Sequence, residues 1–181
     1  TRMNKKCAAL IHSHLPPPSV LYTLAEANDV DGVREELQRP GCDVEAKESE
    51  HGWCALHTAA VQGHTEVARV LLDAGAPREA TNNGGVTPFI SAAVHNRRET
   101  AALLIERGAN VNRQNLKGWS PLMEAAYLGH RALVELLLSH GANTELRNQI
   151  GDNALNFAIK ENKEECSELI REHMIPALYR L

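Results

Sequence analysis

The sequence predicts an all-α solenoid: a row of helix-turn-helix units joined by β-hairpin-like turns, with degenerate caps at both ends. Three observations predict it. First, a block recurs every 33 residues, at Gly52 (GWCALHTAA), Gly85 (GVTPFISAA), Gly118 (GWSPLMEAA) and Gly151 (GDNALNFAI). Self-similarity at a fixed period of this size marks a stacked-repeat architecture. Second, the residues after each block carry apolar side chains at helical spacing: Val67, Val70 and Leu71, then Leu103 and Leu104, then Leu133, Leu136 and Leu137. Third, the punctuation repeats. Thr87 and Ser120 precede Pro88 and Pro121, a capping hydroxyl before a proline suited to the first helical position. Gly63, Asn96, Gly129 and Asn162 close the first helix, the two residue types that tolerate a left-handed cap, and Gly75, Gly108 and Gly141 close the second.

Taken in order, residues 1–17 are a leader. MNKKCAALIHSHL fits either a short helix or a flexible segment, and Pro16, Pro17 and Pro18 end it. Repeat one spans 18–47. Aligning Leu37 with Leu71 places Ala25 on Ala59, Asp29 on Gly63, Val33 on Val67 and Gly41 on Gly75, with the helix-opening segment worn down to VLYT. A terminal unit has one neighbour, so one of its faces meets water and its sequence departs from the pattern. Repeats two, three and four span 48–80, 81–113 and 114–146. An extra residue in KESEHG lengthens the turn between repeats one and two. The paired alanines 59/60, 92/93 and 125/126 allow close approach of neighbouring helices. Repeat five, 147–173, has Glu164, Glu165, Ser167 and Glu168 in its second helix, with Cys166, Leu169 and Ile170 left to pack inward, and is the C-terminal cap. Residues 174–181 form a tail.

Composition narrows the function. Net charge is −4, from 19 basic and 23 acidic residues without a basic cluster, which argues against nucleic acid as the partner. No apolar run reaches the 18 or more residues of a membrane span, and no secretory signal is visible. The four cysteines (Cys7, Cys42, Cys54, Cys166) form no CxxC pair and lack zinc-type spacing to histidine. Cys42 stands where later repeats have alanine, and Cys54 stands at the Thr87/Ser120 position. They read as small buried residues of an intracellular protein, cytoplasmic or nuclear.

The 33-residue period with its T-P-L-H-x-A core resembles the ankyrin-repeat family over most of the chain. The resemblance implies a protein-binding scaffold whose concave groove is made of turn tips and first helices. It also implies that His57 holds its turn by bonding to backbone, and that His64 and His130 share one helix-start position. No GxSxG, HExxH, P-loop or GxGxxG is present, so no catalytic residue, metal site or cofactor is expected. Cys54 and His57 have a Cys-x-x-His spacing but no third orienting group, and His12 with His14 supply only two metal ligands.

The groove positions that vary between repeats are the two residues before the block's glycine, the one after it, and the two after the alanine pair. They give Trp53, Val86, His95, Leu116, Lys117, Trp119, Tyr127, Leu128, Ile150 and Asp152 as partner-binding candidates, for a protein or peptide ligand of a monomeric chain. Both tryptophans fall in this set, and large apolar side chains concentrate at Leu116, Trp119, Tyr127, Leu128 and Ile150. The alternative for the tryptophans is packing on the turn, which the family tolerates. Arg97 and Arg98 would supply a charged rim, and the glutamates of repeat five a solvated end. Two other functions stay open: a targeting or autoinhibitory module of a larger protein, and a self-assembling piece. Asn112, eight residues after Leu104, resembles the asparagine hydroxylated in many animal ankyrin repeats.

Overall fold

The computed structural model describes residues 17–48 and 50–174, and the leader, read as either a short helix or a flexible segment, lies outside them apart from Pro17. Among the described residues there are ten helices and no strand. They are α1 (Pro17–Glu26), α2 (Val30–Leu37), α3 (Ala55–Gln62), α4 (Thr65–Asp73), α5 (Pro88–Val94), α6 (Arg98–Glu106), α7 (Pro121–Leu128), α8 (Arg131–Ser139), α9 (Ala154–Lys160) and α10 (Glu164–Met174). Each consecutive pair is one repeat. The odd-numbered helices pack in one row, the even-numbered in a second, and contact within the odd row is the more extensive.

Local chemistry explains each boundary. The Thr87 and Ser120 hydroxyls accept from the amides of Ile90 and Met123, and Pro88 and Pro121 open α5 and α7. Gly63 and Gly129 close α3 and α7 with φ of 78° and 79°, and Asn96 and Asn162 take the same left-handed turn at φ 54°. The row fills with Leu56, Ala59, Ala60, Phe89, Ala92, Ala93, Leu122, Ala125 and Ala126, all buried against Val67, Leu71, Leu104, Leu133 and Leu137. The alanines leave no bulk between neighbouring helices, so the odd row packs closely.

Repeat one corrects the expected register. Asn28, with φ 54°, holds the left-handed place of Gly63, and Asp29 caps α2 through the Gly32 amide at 2.9 Å. The backbone bond from Asp29 N to Leu24 O repeats that from His64 N to Ala59 O. Ala25 therefore matches Ala60 rather than Ala59, and Glu36, not Leu37, occupies the place of Leu71. Glu36 is buried there and ion-paired to Arg39 at 2.5 Å. The helices run at an interval of 35 while Gly41 keeps 34 to Gly75, because one additional residue sits between α2 and Gly41.

The turn tips form a main-chain ladder. Asn83 N donates to His51 O, Leu116 N to Gly84 O and Gln149 N to Lys117 O, at 2.9, 3.0 and 3.2 Å. Within each tip an asparagine oxygen gathers two amides: Asn82 takes Gly84 and Val86, Asn115 takes Lys117 and Trp119, Asn148 takes Ile150 and Asp152. Glu48 does this work in the first tip, where its carboxylate accepts from the amides of Glu50, His51 and Trp53. The tip is one residue longer there, and the longer side chain spans it.

Candidate functional site

The structure sorts the candidate residues into two groups. The first surrounds His57. Its Nε2 donates to Val86 O at 2.9 Å, fixing the tautomer, while Nδ1 accepts from the Cys54 amide at 3.3 Å and meets Cys54 Sγ at 3.1 Å. Trp53 lies over the ring, centroid to centroid 5.7 Å. Burial holds His57 down at about 4, so the imidazole is neutral, and burial pushes the Cys54 thiol up. A neutral imidazole bonded on both sides beside a protonated buried thiol is turn architecture rather than a nucleophile pair.

The second group joins repeats four and five. Trp119 stacks on Phe157 with centroids 4.3 Å apart and planes at 26°. Tyr127 meets both rings edge-on, at 5.5 Å from Trp119 and 5.9 Å from Phe157. Phe157 is buried and Trp119 half-buried against the core. Trp119 therefore ties the cap to its neighbour, and the exposed apolar surface is carried by Leu116 (68%), Ile150 (75%), Tyr127 (38%) and Leu128 (37%). The tip ladder brings Leu116 and Lys117 beside Gln149 and Ile150.

Polar candidates are distributed more widely. Lys117 is exposed, and Asp152 pairs with Lys160 at 2.5 Å. His95, also exposed, bonds through Nδ1 to Ser91 O at 3.0 Å. Arg97 is no free rim charge: its Nε donates to Val61 O at 2.8 Å, as His130 Nε2 does to Val94 O at 3.1 Å. Both helix-start side chains staple a repeat to the one before, and Arg98 remains exposed. The side chain of Asn112 bridges repeats, accepting from Asn143 N at 2.7 Å and donating to Gly141 O at 3.3 Å. Glu79 accepts from Asn110 N at the equivalent place one repeat earlier.

Two groove residues lay outside the sequence criterion, Phe157 and Glu124. Both occupy the x of the T-P-L-H-x-A block, which reads Thr58, Ser91, Glu124, Phe157 down the stack. That variability inside an otherwise regular block was the available signal. Thr58 and Ser91 are buried, whereas Glu124 is half-buried. Burial pushes its carboxyl up to about 7, with Lys117 pulling the other way. In the first tip Glu48, Glu50 and His51 bring ligand-type atoms within 4.8 Å of one another. The Glu48 oxygens, however, already hold three amides, and these hold the carboxyl below its ordinary range despite some desolvation.

Comparison with known proteins agrees with this geometry. The family model described as "Ankyrin repeats (3 copies)" matches residues 21–115 and 113–177. Protein phosphatase 1 regulatory subunit 27 of Homo sapiens is 37% identical over 90 residues, 48% of this chain and 54% of that protein. The 2-5A-dependent ribonuclease of Mus musculus is 35% identical over 72 residues, 40% of this chain and 10% of the ribonuclease. Ankyrin repeat domain-containing protein 40 of Mus musculus is 36% identical over 67 residues, 36% of this chain and 18% of that protein. The chain thus spans about half or less of the length of these curated relatives. No helix among the described residues is long and apolar enough to cross a membrane. Ankyrin repeats are a general protein–protein interaction module and are generally non-catalytic, and the matched model covers nearly the whole stack, so this chain belongs to the ankyrin-repeat family.

Proposed function

We propose that this chain is a non-catalytic scaffold that binds a partner protein or peptide through the concave face of repeats four and five. The observation that carries the reading is the concentration of exposed apolar side chains there: Leu116, Tyr127, Leu128 and Ile150 stand out on adjoining tips and helix ends. Apolar side chains grouped on a surface mark a partner site, and the aromatic lock beneath supplies a rigid, preorganised base. Among the described residues Cys42, Cys54 and Cys166 are free thiols, which supports a reducing, intracellular setting.

The test is affinity capture with mass spectrometry, wild type against a Leu116→Asp/Leu128→Asp double variant and a convex-face control, Glu135→Lys. Partners held by wild type and the control but lost by the double variant support the groove. Equal retention by all three overturns it. The short share of the ribonuclease that aligns favours a second reading, in which the stack is one module of a longer polypeptide. Sequencing the parent transcript decides that. Light scattering over a concentration series tests the monomer, because self-assembly would raise the mass with concentration. For Asn112, the family resemblance motivates hydroxylation. A peptide from native tissue found only unmodified by mass spectrometry would remove that assignment.

A further inference from the structure

Glu124 has no counterpart among the other inner-helix residues. Thr58 and Ser91, at its place in repeats two and three, are buried hydroxyls, and Phe157 in repeat five is a buried ring. Glu124 puts a carboxyl between these environments, half-buried, and among the described residues no ion pair or hydrogen bond to it is formed. The nearby cations are committed elsewhere or held apart. Lys160 bonds Asp152, and Lys117 acts on the carboxyl electrostatically without an ion pair.

Helix geometry sets what lies around it. On α7, Glu124, Tyr127 and Leu128 stand at i, i+3 and i+4 and share one face. Tyr127 is edge-on to Trp119 and Phe157, and Glu124 stands one helical turn before Tyr127, at the position that Phe157 holds in the next repeat. An unpaired, partly dehydrated carboxylate beside aromatic rings suits a cation with an apolar stem. Arginine is favoured over lysine, because its guanidinium is less strongly hydrated, stacks on aromatic rings and bonds a carboxylate through two N–H groups.

Building on the groove reading above, we propose that Glu124 sets the specificity of the groove, and that its ligand is an extended peptide presenting an arginine to that carboxylate, flanked by apolar residues that cover Tyr127 and Leu128. The salt bridge forms on binding, and the aliphatic part of the arginine lies along the aromatic cluster.

The experiment selects phage-displayed random nonapeptides on the full chain, then measures fluorescein-labelled synthetic versions by anisotropy. The expected consensus holds a basic residue at one fixed position. Replacing that arginine with citrulline, which keeps the shape and removes the charge, should weaken binding to wild type about 10–100-fold. The same replacement should cost little on Glu124→Gln, and Glu124→Asp should restore part of the preference. Native circular dichroism and unchanged binding of a citrulline peptide certify that Glu124→Gln is folded. Peptides without a fixed basic residue, or an equal citrulline loss on both proteins, overturn the role of Glu124 while leaving the groove. Peptides indifferent to Tyr127→Ala and Leu128→Ala, or the absence of any selected peptide, overturn the groove and the arginine site together.

Discussion

Replacing Trp119 by alanine should detach the C-terminal cap before it reports on any ligand. The side chain is half-buried and stacked on Phe157, with Tyr127 against its edge. Losing about 100 Å² of buried apolar surface costs ~2.5 kcal/mol at about 25 cal/mol per Å². Each lost aromatic pair adds ~0.5–1.5 kcal/mol. With two pairs lost the expected total is about 3.5–5.5 kcal/mol, and it falls on one place, the interface between repeats four and five. In a linear array each repeat is held by its own stability and by its neighbours, so the loss appears as local opening of α9 and α10. Hydrogen exchange with mass spectrometry reads this directly. Amides of α9 should exchange roughly three to four orders of magnitude faster, while those of α3 and α4 stay as in wild type. Leu116→Ala, at a side chain 68% exposed, should leave α9 protection unchanged. Undiminished protection in Trp119→Ala, or equal loss along the whole stack, would refute the interlock. Affinity losses in Trp119 variants then need this control before being read as contact energy.

The remaining expectations concern pH and backbone. Glu124 prefers its protonated form in the fold, where burial pushes it up to about 7 against an ordinary 4.5. The native state therefore binds more protons than the unfolded one between those values, and stability declines as pH rises through the window. The full gap is worth ~3.4 kcal/mol. Partial exposure reduces this to about 1–2 kcal/mol, so Glu124→Gln should be more stable than wild type by that amount at pH 8 and equal to it at pH 4, by urea midpoints. His57 works in the opposite sense. Held at about 4 against an ordinary 6.5, it contributes stability that is complete above pH 6.5 and lost as pH falls toward 4, and its NMR titration should show the depressed value. Gly118→Ala should cost several kcal/mol in thermal and urea unfolding, because φ is +78° and a methyl would meet the Asn148 Cα at 2.9 Å. Gly141→Ala, at φ +77° in open space, should cost only ~1–2 kcal/mol.

The fold was legible because the stack imposes the same demand every 33 residues: a cap, two small residues, a left-handed stop. Those demands wrote Thr87, Ser120, the alanine pairs and Gly63 or Asn96 into the sequence at fixed places. Repeat one was misaligned by one residue for a physical reason. Its core position equivalent to Leu71 is filled by Glu36, whose buried carboxylate is paired with the solvent-exposed guanidinium of Arg39, and the neighbouring apolar Leu37 therefore imitates the core residue. The cap at Asn28 and Asp29 was the better guide. In the site, single positions were legible and pairings were not. Phe157 beneath Trp119 and Tyr127 depends on the packing of one repeat on the next, which no local pattern states. The half-burial of Glu124 likewise follows from the packing of its neighbours and not from any local pattern around it.

The tip ladder carries a consequence for how such a surface changes. Each rung runs from one main chain to the next, Leu116 N to Gly84 O and Gln149 N to Lys117 O among them. Amide and carbonyl groups are indifferent to the side chains they carry. Residues 116, 117 and 150 can therefore be exchanged for almost any others while the rungs stay closed. Stability and recognition draw on separate atoms, so mutation can explore new ligands at these tips without first loosening the stack.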